Sequence, residues 1–232
     1  MKKIILASTS TLFGEPYLAY LLPYLSKFLN GTTTLTFIPY ARPGGTSHDD
    51  YTKIVAAAFA KININVVGLH AFNNPKEGLE KAEAIFVGGG NTFLLVNQLY
   101  QLELMQSLKQ KIEMGTPYLG TSAGSNIAGV SMRTTNDMPI IYPPSFDTLG
   151  VVPFNLNPHY LDPDPNSLHN GETRETRIAE FHCFNSTPVI GLREGSFITV
   201  LDNETILHGP YTARVFRSGQ NPFEMRPGVF AL

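Results

Sequence analysis

Through the first half of the chain, short apolar runs alternate with stretches whose apolar residues recur at helical spacing. Residues 4–7, 34–38, 63–69, 84–87 and 116–120 read as strands. Residues 16–29, 49–60, 75–81 and 92–114 read as helices, the last in two pieces stopped by Gly115. Pro16 fits a first-turn position, whereas Pro23 should kink the helix or shift its boundary. A further short helix follows residue 122 and runs through Ala128. This alternation predicts an α/β fold of three layers, a mostly parallel sheet with helices on both faces.

The second half is less regular. Residues 131–170 carry many Pro, Asn and Asp residues and read as loops, and residues 172–184 read as a helix. Short strands are predicted at 188–192, 197–201, 205–207 and 213–216, forming a mixed or antiparallel C-terminal edge on the parallel sheet. No internal repeat, low-complexity tract or linker interrupts the chain, so residues 1–232 read as a single domain.

Composition narrows the partners. Hydrophobic residues make up 43% of the 232 positions and charged ones 16%, enough for a sizeable core and against disorder. Seventeen Lys and Arg against nineteen Asp and Glu leave a formal charge of −2, with no basic run, so neither nucleic acid nor an anionic membrane is an expected partner. No run of about eighteen apolar residues predicts a membrane span. The basic, apolar start reads as a buried first strand rather than a signal peptide. The one cysteine, Cys183, excludes an intramolecular disulfide framework and a cysteine-rich zinc module. It suits a cytoplasmic protein and reads as a packed thiol.

Chemistry concentrates at two strand ends. Gly120-Thr121-Ser122-Ala123-Gly124 is a G-x-S-x-G pattern at a strand-to-helix junction. Small residues on both sides permit a sharp elbow that lifts Ser122 above the sheet edge, while the Ala123 N–H and the helix dipole can receive a developing oxyanion. The bland alternative is a tight turn with a capping serine, and Ser125 is a nearby hydroxyl that lacks the flanking glycines of the G-x-S-x-G pattern. Gly88-Gly89-Gly90-Asn91-Thr92 ends the preceding strand and could supply a second oxyanion donor from Gly90. The run lacks the spacing of either common phosphate-binding motif. Its structural alternative is a turn with Asn91 as helix cap.

Of six histidines, His48, His70, His169, His182 and His208 lie in contexts that suggest no catalytic role. His159 follows Asn157-Pro158 in the loop-rich region and is the candidate base. Two acids could orient it: Asp137, or Glu194 just past a predicted strand. Sequence order cannot choose, because such triads are defined by geometry.

These residues carry a resemblance. Gly88 to Phe93, Ser122-Ala123-Gly124, Thr134 to Ile140, Asn157-Pro158-His159, Gly171 to Glu175 and Glu194-Gly195 together resemble, in order and over nearly the whole chain, the peptidase E (α-aspartyl dipeptidase) family. Phe37 to Ala41 is similar to that family too. The resemblance implies a class I glutamine amidotransferase-like, flavodoxin-like fold, a serine nucleophile, no metal and no cofactor. Its substrates are dipeptides with an N-terminal aspartate. Carried over, Ser122 matches the nucleophile and His159 the base, and both Asp137 and Glu194 match acidic positions of the charge relay. Glu194 is favoured as the residue that orients His159, with Asp137 shaping the neighbouring loop. Gly90 and Ala123 would hold the oxyanion. Arg174, in the Gly-Glu-Thr-Arg segment, would receive the substrate carboxylate, ahead of Arg133, Arg177 and Arg193, with Asn91 as a further substrate contact.

The chain departs from the family's pattern beside the site. Thr121 stands for a tryptophan, Ser125 for an alanine, Arg193 for a proline and Ser196 for an asparagine. The alternatives are a cyanophycinase-like serine peptidase with altered specificity, a catalytically silent binding protein on the same fold, and a nucleotide-binding protein that rests only on the glycine run. A homodimer is compatible with the chain, though no sequence feature demands one.

Overall fold

A computed structural model describes every residue except Met1, Ser167 and His169. His169, one of the six histidines considered above, therefore lies outside the described residues. The main sheet begins with β1 (Lys3–Ala7), β2 (Thr34–Ile38), β3 (Asn65–Gly68), β4 (Ala84–Val87) and β5 (Tyr118–Thr121). These five run parallel in the order β1-β5-β4-β2-β3. Alternate side chains serve opposite faces, as a two-residue period requires. Ile4 and Leu6 of β1 join one buried cluster, whereas Ile5 and Ala7 join another.

The second of these clusters packs against α1 (Leu22–Phe28) and α2 (His48–Phe59), through Leu25, Tyr51, Val55 and Phe59. The first is covered by α3 (Pro75–Glu80), α4 (Thr92–Gln101), α5 (Met105–Glu113) and the short α6 (Ala123–Asn126). Strand β6 (Asn155–Pro158) lies on the same side and also packs into this cluster, through Leu156.

Helix α1 starts at Leu22, later than the sequence pattern suggests. Leu18 adopts a positive φ of 58° and its N–H donates to the Ser10 carbonyl, so the chain from Pro16 turns rather than coils. Pro23 rather than Pro16 occupies the first helical turn. Glu103, with φ 54°, separates α4 from α5, which realises the expected two pieces.

The C-terminal strands divide between two sheets. Strands β8 (Phe197–Leu201), β9 (Glu204–His208) and β12 (Gly228–Phe230) extend the main sheet beyond β1 as an antiparallel edge, as expected. Strands β7 (Val189–Leu192) and β10 (Ala213–Phe216), expected in that edge, instead form a second sheet with β6 and β11 (Phe223–Met225), in the order β11-β10-β7-β6. Helix α7 (Arg174–His182) packs on this smaller sheet through Ile178, beside Tyr160, Val189 and Phe216. Cys183, just past α7, is exposed rather than packed.

Strand β6 explains part of this departure. It falls within the stretch read as loop, because Asn155 and Asn157 break any apolar pattern. Both are nevertheless buried. Asn155 Oδ1 accepts from the Val130 and Ser131 N–H groups, each at 3.0 Å, and Asn157 Nδ2 donates to the Thr134 carbonyl at 2.8 Å. Their amides thus serve backbone groups of the incoming loop, although Asn155 Nδ2 itself is buried without a hydrogen-bond partner among the described residues. Asn155→Ala leaves two backbone donors without their acceptor. Val130 is exposed and water can replace its acceptor, so the cost comes from the buried Ser131 N–H: about 1–3 kcal/mol of unfolding free energy, measured by urea titration.

Candidate active site

Strand β5 ends where the chain must turn sharply into α6, and the turn leaves no space for side chains at its glycines. A Cβ on Gly120 would lie 2.5 Å from the Gly124 carbonyl oxygen, and one on Gly124 would lie 2.1 Å from the Val87 carbonyl oxygen. Ser122 between them has φ 53° and ψ −110°, a conformation that costs on the order of 1–3 kcal/mol and persists only when its surroundings enforce it. The enforcement is visible. The Ser122 N–H donates to the Ala7 carbonyl at 3.1 Å, and the buried Tyr118 hydroxyl donates to the Gly124 carbonyl at 2.6 Å. Ser125, the alternative hydroxyl, is fully buried and within hydrogen-bond reach of the Ala7 and Gly120 carbonyls, at 2.7 and 2.8 Å. It ties down the elbow and is not free to attack a substrate.

The elbow aims Ser122 at His159. His159 Nε2 lies 2.9 Å from Ser122 Oγ, and His159 Nδ1 lies 2.6 Å from Glu194 Oε1. The histidine follows β6 and the glutamate follows β7, which pair in parallel with Pro158 opposite Leu192. The second sheet thus delivers both groups to the end of the first. The His159 side chain is 38% exposed and that of Glu194 49% exposed, so solvent screens their attraction. At this separation Glu194 can fix which ring nitrogen carries the proton.

Asp137 does not join this chain. Its Oδ2 accepts from the Thr92 N–H at 2.7 Å, the Thr92 hydroxyl at 2.6 Å and the Thr135 hydroxyl at 3.1 Å. It caps the first turn of α4, where a negative charge suits the helix dipole. It still borders the cleft at Ser122, together with Thr92, Ala123, Asn126, Thr135, Asn136, Pro158 and His159.

The glycine run lies against Ser122. A Cβ on Gly89 would approach Ser122 Cβ to 3.0 Å, and one on Gly90, whose φ is 147°, would meet the Ala41 carbonyl oxygen at 2.2 Å. The Tyr51 hydroxyl donates to the Gly89 carbonyl at 3.2 Å. A trans peptide is planar, so holding that carbonyl turns the Gly90 N–H the opposite way. The Ala123 N–H belongs to the first turn of α6, where helical donors have no intrahelical acceptor. Asn91 is the N-cap of α4: its Oδ1 accepts from the Leu94 N–H at 3.1 Å and its Nδ2 donates to the Met138 carbonyl at 2.8 Å.

The arginines part company. Arg174 opens α7 and borders a cavity of about 430 Å³ together with Asp162, Asp164, Glu172 and Arg177. Its Nε is buried without a hydrogen-bond partner among the described residues. Burial, and then the like charge of Arg177, depress its guanidinium below the ordinary value, while the negative Asp137 opposes them. Arg177 pairs at 3.5 Å with Glu172, and Arg133 donates to Asn185 at 3.3 Å. Arg193 is fully committed. It reaches Asp162 at 2.6 Å and Glu224 at 2.9 Å and donates to the Thr212 carbonyl, and both carboxyls are held below their ordinary values by its hydrogen bonds. It fastens the segment after Tyr160 to the second sheet.

Sequence reasoning missed Ser8 and Tyr51. Each touches the site through one hydrogen bond to backbone, and a serine after an apolar run or a tyrosine within a helix gives no signal of that.

This geometry has counterparts in known proteins. The sequence model of peptidase family S51 matches residues 4–208. The chain is 48% identical over 225 residues to a protein named peptidase E from Streptomyces coelicolor, an alignment covering 97% of this chain and 91% of that protein. It is 42% identical over 229 residues to a probable alpha-aspartyl dipeptidase of Drosophila melanogaster, covering 97% of this chain and 94% of the other. Among solved structures, a peptidase from an acI-B1 actinobacterium matches with a TM-score of 0.72 at 14% identity, covering 99% of this chain and 97% of that one, a likeness of fold. With a family model spanning most of its length and relatives this similar end to end, the chain belongs to peptidase family S51.

Proposed function

We propose that the protein is a serine dipeptidase that hydrolyses dipeptides with an N-terminal aspartate through an acyl-enzyme on Ser122. The observation that carries the reading is the unbroken chain from Ser122 Oγ to His159 to Glu194, at 2.9 and 2.6 Å. With Glu194 holding the Nδ1 proton, His159 Nε2 takes the hydroxyl proton as Oγ attacks the scissile carbonyl. The Gly90 and Ala123 N–H groups receive the oxyanion. His159 then protonates the leaving amine, and water, activated by the same nitrogen, releases the acyl group.

Substrate selection follows from charge. Arg174 suits the aspartate side chain, since a guanidinium that is partly desolvated and has an unpaired Nε gains from a carboxylate partner. Asp137, bordering the cleft, suits the free ammonium of a dipeptide, and Asn91 holds the adjoining wall through Met138. The names of the Streptomyces and Drosophila relatives support the same substrate class. The whole chain acts as one domain, since residues of both sheets share one buried cluster, and the lone cysteine suits work in the cytoplasm.

Hydrolysis of Asp-Leu, Ala-Leu, Glu-Leu and Asn-Leu, with chelator present, tests the reading. Wild type should cleave Asp-Leu well ahead of the others, and Ser122→Ala should lose several orders of magnitude in kcat, on the order of 10⁴–10⁶. Cleavage of none of the four by folded protein, or full activity in Ser122→Ala, would refute it. The two acids should separate in kinetics: Glu194→Gln should lower kcat by about 10³–10⁴, whereas Asp137→Asn should act mainly on KM. Arg174→Ala should raise KM for Asp-Leu and leave Ala-Leu unchanged, with the melting temperature retained.

A further inference from the structure

We infer that Ser8 is a positioning residue for His159, holding the imidazole in line with Ser122 through the histidine's own backbone. The inference rests on the reading of Ser122 and His159 as nucleophile and base. Ser8 follows β1 and is fully buried. Its Oγ–H donates to the Leu192 carbonyl at 2.7 Å, and its Oγ accepts the His159 N–H at 2.9 Å. Its own N–H donates to the Ser196 carbonyl at 3.1 Å. One hydroxyl thus reaches the ends of both strands, β6 and β7, that deliver the base and its acid. A hydroxyl has one donor and spare acceptor capacity, so both bonds can be made at once.

His159 needs such a hold. Its φ is 54°, in the left-handed region, where a residue with a Cβ is strained by roughly 1–2 kcal/mol. The direction of the Cα–Cβ bond, and with it the whole imidazole, follows from that φ. The peptides on either side are held as well, by Asn136 Nδ2 donating to the Pro158 carbonyl at 2.8 Å and the Tyr160 N–H donating to the Leu192 carbonyl at 3.1 Å. Ser8 adds the hold on the His159 N–H itself, and without it the strained φ is free to shift by the small angle that carries the ring out of line with Ser122. The residue before Ser8 acts on the nucleophile in the same way, since the Ala7 carbonyl accepts the Ser122 N–H. Residues 7 and 8 therefore fix nucleophile and base against one strand end. Misplacement of a reacting group by about 1 Å can cost on the order of 10²-fold in rate.

A residue that merely ties neighbouring segments together would affect stability alone. Thr134→Val supplies that control, because the buried Thr134 hydroxyl donates to the Leu156 carbonyl of β6 at 2.9 Å without touching His159 or Glu194. Ser8→Ala should lower kcat on Asp-Leu by about 10–100-fold with KM within about twofold, whereas Thr134→Val should lower the melting temperature and keep kcat. Ser8→Thr, which keeps the hydroxyl, should recover most of the rate; if its extra methyl prevents folding, the comparison with Thr134→Val still decides. The proton shared by His159 Nδ1 and Glu194 gives a second readout by NMR. Its downfield signal should be sharp in wild type and Thr134→Val and broadened or lost in Ser8→Ala. Unchanged kcat and an unchanged signal in Ser8→Ala would overturn the inference. If wild type cleaves no dipeptide, the reading of the site fails, and the proton signal alone still reports whether Ser8 holds the ring.

Discussion

The arrangement depends on one close approach, the backbone of α6 pressed against the carbonyl of Val87 at Gly124. Nothing larger than hydrogen fits there, so the chain leaving β5 must fold back over the sheet edge immediately. That crowding forces Ser122 into an uncommon backbone conformation, and the sheet supplies the hydrogen bonds that keep it there. Strain of this kind is stable only inside a rigid frame. The frame here is the parallel core, with apolar residues filling both of its faces. The elbow is thus a property of the packed sheet more than of the five residues that spell it.

The second sheet solves a different problem. A parallel α/β sheet offers functional groups at its carboxyl edge, and this chain uses that edge for Ser122 and the glycine run. His159 and Glu194 arrive instead on two neighbouring strands of another sheet, in parallel register, so that their separation is set by strand pairing. Arg193, adjacent to Glu194, commits its whole guanidinium to Asp162, Glu224 and Thr212. This charged anchor holds the strand end by ion pairing. It also ties the segment after Tyr160 to the same point.

How much of this is legible in the sequence follows from what a linear pattern can encode. The strands of the parallel core are buried on both faces and read as apolar runs, so β1, β2, β4 and β5 stand out. Strand β6 does not, because it buries asparagines that hydrogen-bond the loop they support, and hydrophobic periodicity is blind to that. Strands β7 and β10 are visible as strands, but nothing in their alternation names a partner, and they pair in the second sheet rather than at the expected edge. Ser122 is legible because the glycines around it have a steric reason. Glu194 is favoured over Asp137 in the sequence by its place just past a strand, but only the structure shows that one faces an imidazole and the other a helix end. Arg193 reads as a substrate candidate and proves saturated. Ser8 is invisible, because its contacts lie 151 and 184 residues away.

On the reading proposed above, the split of Ser122, His159 and Glu194 between two sheets has a consequence for biosynthesis. A ribosome emits the elbow first and the strands bearing the histidine and the glutamate only later. A nascent chain that has completed β1 to β5 therefore carries a serine with no base beside it, and its hydroxyl is as unreactive as any other alcohol. Peptide-bond cleavage becomes available only once the last third of the polypeptide has been made and docked. The order of synthesis thereby keeps a half-made enzyme silent until its fold is complete.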